Sequence, residues 1–305
     1  MFGSELSSPY DDPVWHPSGG IIGFNHRPIK EIRYIDGYDC PHQASYIFEN
    51  DSIGFWLINA DGTNQRRVLP YMLDSPAWSP DGKWIAFSYG AQICKMPFDG
   101  INFDTTAIVQ LTFEGRNFFP SWSSDGEWIA YDSNVESPTG SNFIWKMRNN
   151  GLLKKRIAFT PNDGETRMPS WGNDFNIVHL RFIRGISSPE IFKMDSAGNS
   201  VIRLTKNEDW ERYPEYSPND NLIGYTSQSN QIGGVELWSF DINTNSMMQL
   251  STDGCESYSW SPEGEIVYLN FDGSRIDDTK GTLWIMDSEG NNKHQLTRNI
   301  FKLTQ

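Results

Sequence analysis

Six side chains in this sequence stand four residues ahead of a recurring aromatic. They are Asp11 before Trp15, Asp74 before Trp78, Phe118 before Trp122, Arg167 before Trp171, Arg212 before Tyr216 and Glu256 before Trp260. Three acids, two arginines and one phenylalanine form neither a repeated packing slot nor a ring of one sign. A guanidinium in a cleft clamps carboxylate or phosphate through two parallel hydrogen bonds. Acids on neighbouring copies supply the opposite pole, so the set suits a zwitterionic or mixed ligand. Arg116, Glu165, Trp210 and Glu211 lie just upstream of the same positions. The same acids and arginines can instead pair with one another and keep an opening closed, because structural ion pairs cluster in this way too.

Signatures of catalysis are absent. There is no Gly-x-Ser-x-Gly elbow, Walker loop, HExxH or EF-hand loop. Of the histidines, His16 and His294 lie on or near turns, while His26, His42 and His179 can approach the same opening, and three histidines can hold a transition metal. Asp272, Asp277 and Asp278 can bind calcium but lack a recognised spacing, and a solvated acidic loop accounts for them equally. No cofactor is therefore expected, with calcium or a transition metal as the alternatives. Cys40, Cys94 and Cys255 are odd in number and form no CxxC pair, which leaves room for one disulfide at most.

Composition narrows the classes further. The chain has 305 residues, 39 acids against 25 bases, and a formal net charge of −14. Nucleic acid and anionic lipid both require a positive field, so neither is an expected partner. No apolar run is long enough to span a bilayer, and the first residues show no basic and apolar leader. The expected location is periplasmic or extracellular with a signal removed, and the cytoplasm is the alternative. Twelve Trp, 26 Gly and 17 Pro against nine Ala favour an all-β chain over a helical one.

The elements that position the six side chains follow from repetition. Pro76-Ala77-Trp78-Ser79-Pro80-Asp81-Gly82 and Pro120-Ser121-Trp122-Ser123-Ser124-Asp125-Gly126 are two copies of a segment with relatives at Trp15, Trp171, Tyr216 and Trp260. A second segment recurs as Trp56-Leu57-Ile58-Asn59-Ala60-Asp61-Gly62, Trp145-Lys146-Met147, Phe192-Lys193-Met194 and Trp284-Ile285-Met286. A closing Leu-Thr follows at Leu111-Thr112, Leu204-Thr205 and Leu296-Thr297, with variants at 69, 159 and 250, so the period is 42 to 48 residues. That is the length of one four-stranded propeller blade. The expected fold is an all-β, six-bladed β-propeller of four-stranded antiparallel blades. Blade 1 runs about 12–70, blade 2 about 74–112, blade 3 about 117–160, blade 4 about 166–205, blade 5 about 211–251 and blade 6 about 255–297, followed by a tail at 298–305. Eleven of the twelve Trp fall in repeated slots and are assigned to packing; Trp210 alone does not. Asp81, Asp125, Asp287 and Gly82 are assigned to tight turns.

These motifs resemble the TolB-type repeat, a relative of the WD repeat, over about residues 12–297. The resemblance implies the propeller but not a function, because the fold serves scaffolds, enzymes and peptidase accessory domains alike. The small α/β domain that precedes the propeller in TolB has no counterpart in this sequence, so TolB's place in a cell-envelope complex is not carried over. Oligogalacturonate lyases are related propellers with a His-based metal site, whose pattern does not match here residue by residue.

Blade 1 carries an insertion at about 27–50. Phe24 to Trp56 spans 32 residues, where the corresponding spans in blades 2, 3 and 5 are 7, 14 and 13. It bears Arg33, Tyr34, Asp36, Tyr38, Asp39, Cys40 and His42, and is expected to be a hairpin, inert or covering the channel mouth as a binding loop. The sequence thus points to a non-catalytic module that binds a protein or peptide partner, or a carbohydrate or small polar ligand, at the mouth. The residues assigned to that role are Asp11, Asp74, Arg116, Phe118, Arg167, Trp210, Arg212, Glu256 and His42. The alternative is a lyase or hydrolase on a uronate polysaccharide, with arginine neutralising the uronate and a His-bound metal or His base taking the proton.

Overall fold

The computed structural model describes residues 8–34, 44–158, 164–229, 234–273 and 276–304. Six four-stranded antiparallel sheets surround a central channel, each built from strands A to D counted outward. Blade 1 is Tyr10–Trp15, Ile21–His26, Gly54–Asn59 and Arg66–Leu69, and blade 2 is Asp74–Trp78, Trp84–Tyr89, Gln92–Pro97 and Val109–Gln110. Blade 3 is Asn117–Trp122, Trp128–Ser133, Phe143–Arg148 and Lys155–Arg156, and blade 4 is Thr166–Trp171, Asn176–Arg181, Glu190–Asp195 and Ile202–Arg203. Blade 5 is Trp210–Tyr216, Leu222–Gln228, Val235–Asp241 and Ser246–Gln249, and blade 6 is Tyr258–Trp260, Ile266–Asn270, Thr282–Met286 and His294–Gln295. The chain is a six-bladed β-propeller.

The repeated residues explain the repeated strands. Ser79 Oγ donates to Asp81 Oδ1 at 2.6 Å while the Trp84 and Lys83 amides donate to Ser79 Oγ and Asp81 Oδ1, which closes the A–B turn. Ser123, Asp125, Glu127 and Trp128 repeat that arrangement. In the Leu-Thr motif the buried hydroxyl accepts a strand C amide of its own blade, as Thr112 does from Ile93, Thr205 from Ile191 and Thr297 from Leu283. The core lies between blades, in apolar clusters that each join one blade to the next. Trp15, Trp78, Trp122, Trp171 and Trp260 of strand A are 5–8% exposed and seal these seams, each aromatic burying about 150–250 Å². Trp84 and Trp128 of strand B are half-buried and carry the Lys95 and Lys146 ammonium groups over their faces at 4.3 and 4.7 Å.

Among the described residues no strand is exchanged between the first and last blades; each blade sheet is formed from strands consecutive in its own blade, the insertion of blade 1 set aside. The ring is instead clasped by a separate three-stranded sheet. Ile29–Tyr34 pairs antiparallel with Ala44–Phe48 and parallel with Lys302–Thr304 of the C-terminal tail. Ile29 and Ile32 are buried in the same cluster as Tyr10 and Phe24 of blade 1 and Leu269, Phe271 and Leu283 of blade 6, with Phe301 packed against it. The described part of the insertion therefore closes the seam between blades 6 and 1, where apolar surface from both chain ends would otherwise meet water. The tip of the insertion, including His42 and Cys40, lies outside the described residues.

Candidate functional site at the channel mouth

Strand A is the innermost edge of each sheet, and its edge position admits proline. Five blades use it: Asp12-Pro13, Ser75-Pro76, Phe119-Pro120, Met168-Pro169 and Tyr213-Pro214. In each, the pairing between strands A and B shifts register across the dipeptide, and the residue before proline has positive φ, between 45° and 54°. An added residue in one strand bends it and redirects a side chain. Here it turns the residue before proline into the channel. Blade 6 has Tyr258 in place of proline, and its A and B strands pair without such a shift.

The consequence for the mouth is a displacement by one residue. Asp12, Ser75, Phe119, Met168, Tyr213 and Ser257 line the channel, whereas Asp11, Asp74, Phe118, Arg167, Arg212 and Glu256 stand beside them on the rim. Non-glycine residues with positive φ cost on the order of 1 kcal/mol or more each, and such positions gather at binding sites.

The mouth divides into two halves. On blades 1, 2 and 6 it is acidic. Asp12 accepts from Asn25 Nδ2 at 3.0 Å, and Ser257 Oγ donates to Asp11 Oδ1 at 3.3 Å. Burial, with repulsion from Asp11 and Asp74, holds the Asp12 carboxyl well above the usual carboxylate range. Burial raises Asp11 as well, against the opposing pull of the Asp12 amide, Ser257 and Arg27. Asp74 and Glu256 are exposed.

On blades 3 to 5 the mouth is aromatic and cationic. Arg116 sits over Phe118 at 5.9 Å, Phe118 meets Phe119 at 6.5 Å, and Phe119 meets Tyr213 at 6.1 Å between ring centroids. A second string runs from Arg167 over Phe182 at 6.0 Å, through Phe182 and Trp210 at 6.1 Å, to Arg212 over Trp210 at 6.0 Å. Arg167 also pairs with Glu165 at 2.5 Å. Trp210, the one Trp outside the packing slots, is 37% exposed. The structure thus brings Arg116, Phe118, Arg167, Trp210 and Arg212 into one surface and sets Asp11 and Asp74 across the channel from it.

The histidine trio does not assemble. His26 lies in strand B of blade 1, stacked on Tyr10 and bonded to the Pro9 carbonyl at 2.8 Å. His179 lies in strand B of blade 4, on the opposite side of the ring, buried and bonded to the Leu180 carbonyl. Burial pulls both down to about 4. Asp277 is occupied as a turn residue by the amides of Thr279 and Lys280, and Asp272 pairs with Lys280.

Glu215 was not singled out by the spacing argument. It occupies the channel-wall slot one residue before the strand A aromatic, where the other blades have Val14, Ala77, Ser121, Ser170 and Ser259. The hydroxyls of Ser121, Ser170 and Ser259 accept the backbone amides of Trp171, Tyr216 and Trp15 in the next blade. Glu215 accepts that of Trp260 in the same way, and burial pushes its carboxyl up to about 8. A glutamate in a slot of small residues is a signal readable in the repeat alignment, as is the proline that moves Asp12, Phe119 and Tyr213 into the channel.

Residues 45–305 match the family model described as the TolB beta propeller domain. No curated protein matches the sequence. Among solved structures, the chain is similar to a putative TolB from Agrobacterium tumefaciens, with a TM-score of 0.65 and 22% identity over 77% of this chain and 84% of that one. It is similar to TolB from Acinetobacter baumannii, with a TM-score of 0.66 and 23% identity over 92% of this chain, and it spans 62% of that protein. An oligogalacturonate lyase in complex with manganese is more distant, with a TM-score of 0.55 and 11% identity over 97% of this chain and 86% of that one. At these identities the likeness to solved structures is one of fold.

Proposed function

The chain belongs to the TolB β-propeller family, and from that premise we propose that it is a non-catalytic binding module whose channel mouth takes a segment of a protein partner. The observation that carries this reading is the division of the mouth. A carboxylate-bearing or aromatic segment finds Arg167, Arg212, Trp210 and Phe118 on one side, and its basic residues find Asp11 and Asp74 on the other. Opposed fields of this kind fix the orientation of a bound segment more than they add affinity. The mixed rim, rather than the net charge of −14, sets what this face accepts. The same reading places the protein in the periplasm or outside the cell.

The test is affinity capture from an extract of the source cells, identification of the retained protein by mass spectrometry, and titration of that protein. Arg167→Ala with Arg212→Ala is expected to weaken it by roughly tenfold or more. Unchanged affinity in this double variant, with Asp11→Asn plus Asp74→Asn also unchanged, assigns binding to another face.

A further inference from the structure

The wall of the channel differs chemically from the rim around it. The channel encloses about 610 Å³, within the range of small-molecule sites. Among the described residues, its lining contains two acids, Asp12 and Glu215, and no lysine, arginine or histidine. The rest is mostly aromatic, proline and small hydroxyl residues, with Val14, Ala77, Met168 and Asn173. The rim arginines Arg167 and Arg212 lie outside this lining.

A channel with a pair of aromatic rings, Phe119 and Tyr213, two carboxylates and no fixed cation suits organic cations, because ring faces and carboxylates attract the same charge while the proline walls take up methylene groups. Phe119 and Tyr213 stand 6.1 Å apart with their planes inclined at 60°. Asp12 lines the same channel as this ring pair, and burial, then the charges of Asp12 and Asp11, push the Tyr213 phenol up to about 12. The net charge of −14 draws cations toward the protein as a whole.

We propose that the channel binds an alkylammonium ligand, with one ammonium held by Asp12 beside the Phe119 and Tyr213 rings and the methylene chain running along the proline wall toward Glu215. Glu215 lies two residues further along strand A than Asp12 does in its own blade, an axial offset of roughly 4–5 Å across the bulge, to which the separation of blades 5 and 1 adds. A linear diamine matches two acids at that offset. A lysine side chain from a partner offers the same ammonium to Asp12 alone. This inference concerns the channel wall and stands whether or not the rim takes a protein segment. The groups that face Asp12 are Asp11, Asp74, Asn25, Ser75 and Tyr213, and Tyr258 faces Glu215. Both carboxyls are held up by burial, so capture of a cation expels their protons and strengthens as pH rises.

Isothermal titration of the intact chain with 1,4-diaminobutane, Nα-acetyl-lysine amide and magnesium chloride, at about pH 6 and about pH 8.5, tests this. Saturable binding of diaminobutane is expected, tighter at the higher pH, with proton release seen as a heat that varies with the buffer. Asp12→Asn and Glu215→Gln are each expected to weaken it by roughly tenfold. Circular dichroism checks their folding, and Gln still accepts from the Trp260 amide. Tyr213→Leu, at a site 36% exposed, is expected to weaken it too. Acetyl-lysine amide binding that is lost only in Asp12→Asn makes a partner's lysine the source of the ammonium; response to the diamine alone makes it a free diamine. The proposal is overturned if neither amine gives saturable heat, if Asp12→Asn, Glu215→Gln and Tyr213→Leu all bind unchanged, or if magnesium competes at equal affinity.

Discussion

At the scale of single residues, the propeller depends on a few buried polar groups that stitch one blade to the next. Asn25, 2% exposed, accepts from the Leu73 amide at 2.8 Å and donates to the Leu73 carbonyl at 2.6 Å, so one side chain satisfies both backbone groups of its neighbour blade. Asn25→Ala leaves both unpaired in a buried seam and is expected to cost about 2–3 kcal/mol in urea unfolding. Glu215 makes the comparable stitch from blade 5 to blade 6 with an ionisable group. Its carboxyl keeps a proton in the folded chain up to about 8, while its ordinary value is 4.5. The native state therefore binds more protons than the unfolded chain across that window. The stability this contributes is fullest below 4.5 and is lost as pH climbs to about 8. Glu211 and Asp132, each pushed up to about 7 by burial, act in the same sense. Glu215→Gln is expected to melt with the wild type near pH 4 and above it near pH 9, by on the order of 2 kcal/mol once screening by channel water is counted. A difference that does not change with pH would contradict this assignment.

At the scale of elements, two devices shape the molecule. The first is the bulge in strand A. Proline removes a ladder donor on an edge that has no partner, so it costs nothing in pairing, and the extra residue beside it sends a chosen side chain into the channel. Five blades thereby present five different groups at one height. The second is the clasp. A ring closed without strand exchange leaves the seam between its first and last blades held by side chains alone, and the sheet formed by Ile29–Tyr34, Ala44–Phe48 and Lys302–Thr304 joins the C-terminus back to blade 1 through backbone hydrogen bonds. Tyr10 adds a bond from its hydroxyl to the Arg298 carbonyl at 3.0 Å. Deleting residues 299–305 removes the outer strand and Phe301 from the seam cluster. The expected result is a lower melting temperature, by roughly 2–4 °C per kcal/mol lost in a chain of this size, with the six blades retained by circular dichroism. An unchanged melting temperature would show that the clasp does not stabilise the ring.

At the scale of the whole molecule, charge and shape are distributed unevenly, and the total is a poor guide to either. The net charge is −14, yet blades 3 to 5 present five aromatic rings and three arginines at one opening while blades 1 and 2 oppose them with Asp11, Asp12 and Asp74. The circular arrangement makes this possible. Residues far apart in sequence, such as Phe119 and Tyr213, become neighbours across the channel because each occupies the same slot of its own blade.

What the sequence determined by itself is what repetition encodes. The blade count, the packing role of Trp in strands A, B and C, and the turn role of Asp81 and Asp125 each follow from one slot read several times. Trp210 stood out for the same reason, as the Trp that no slot explains. The tertiary structure decided matters that are not periodic. An alternation counted back from Trp15 or Tyr216 assumes an unbroken strand, and the bulge at each proline breaks it, so Asp12 and Tyr213 face the channel where Asp11 and Arg212 do not. The insertion of blade 1 read as a hairpin, and Ile29–Tyr34 does pair with Ala44–Phe48, but the buried positions of Ile29 and Ile32 answer to apolar surface of blades 1 and 6, which meet only when the ring closes.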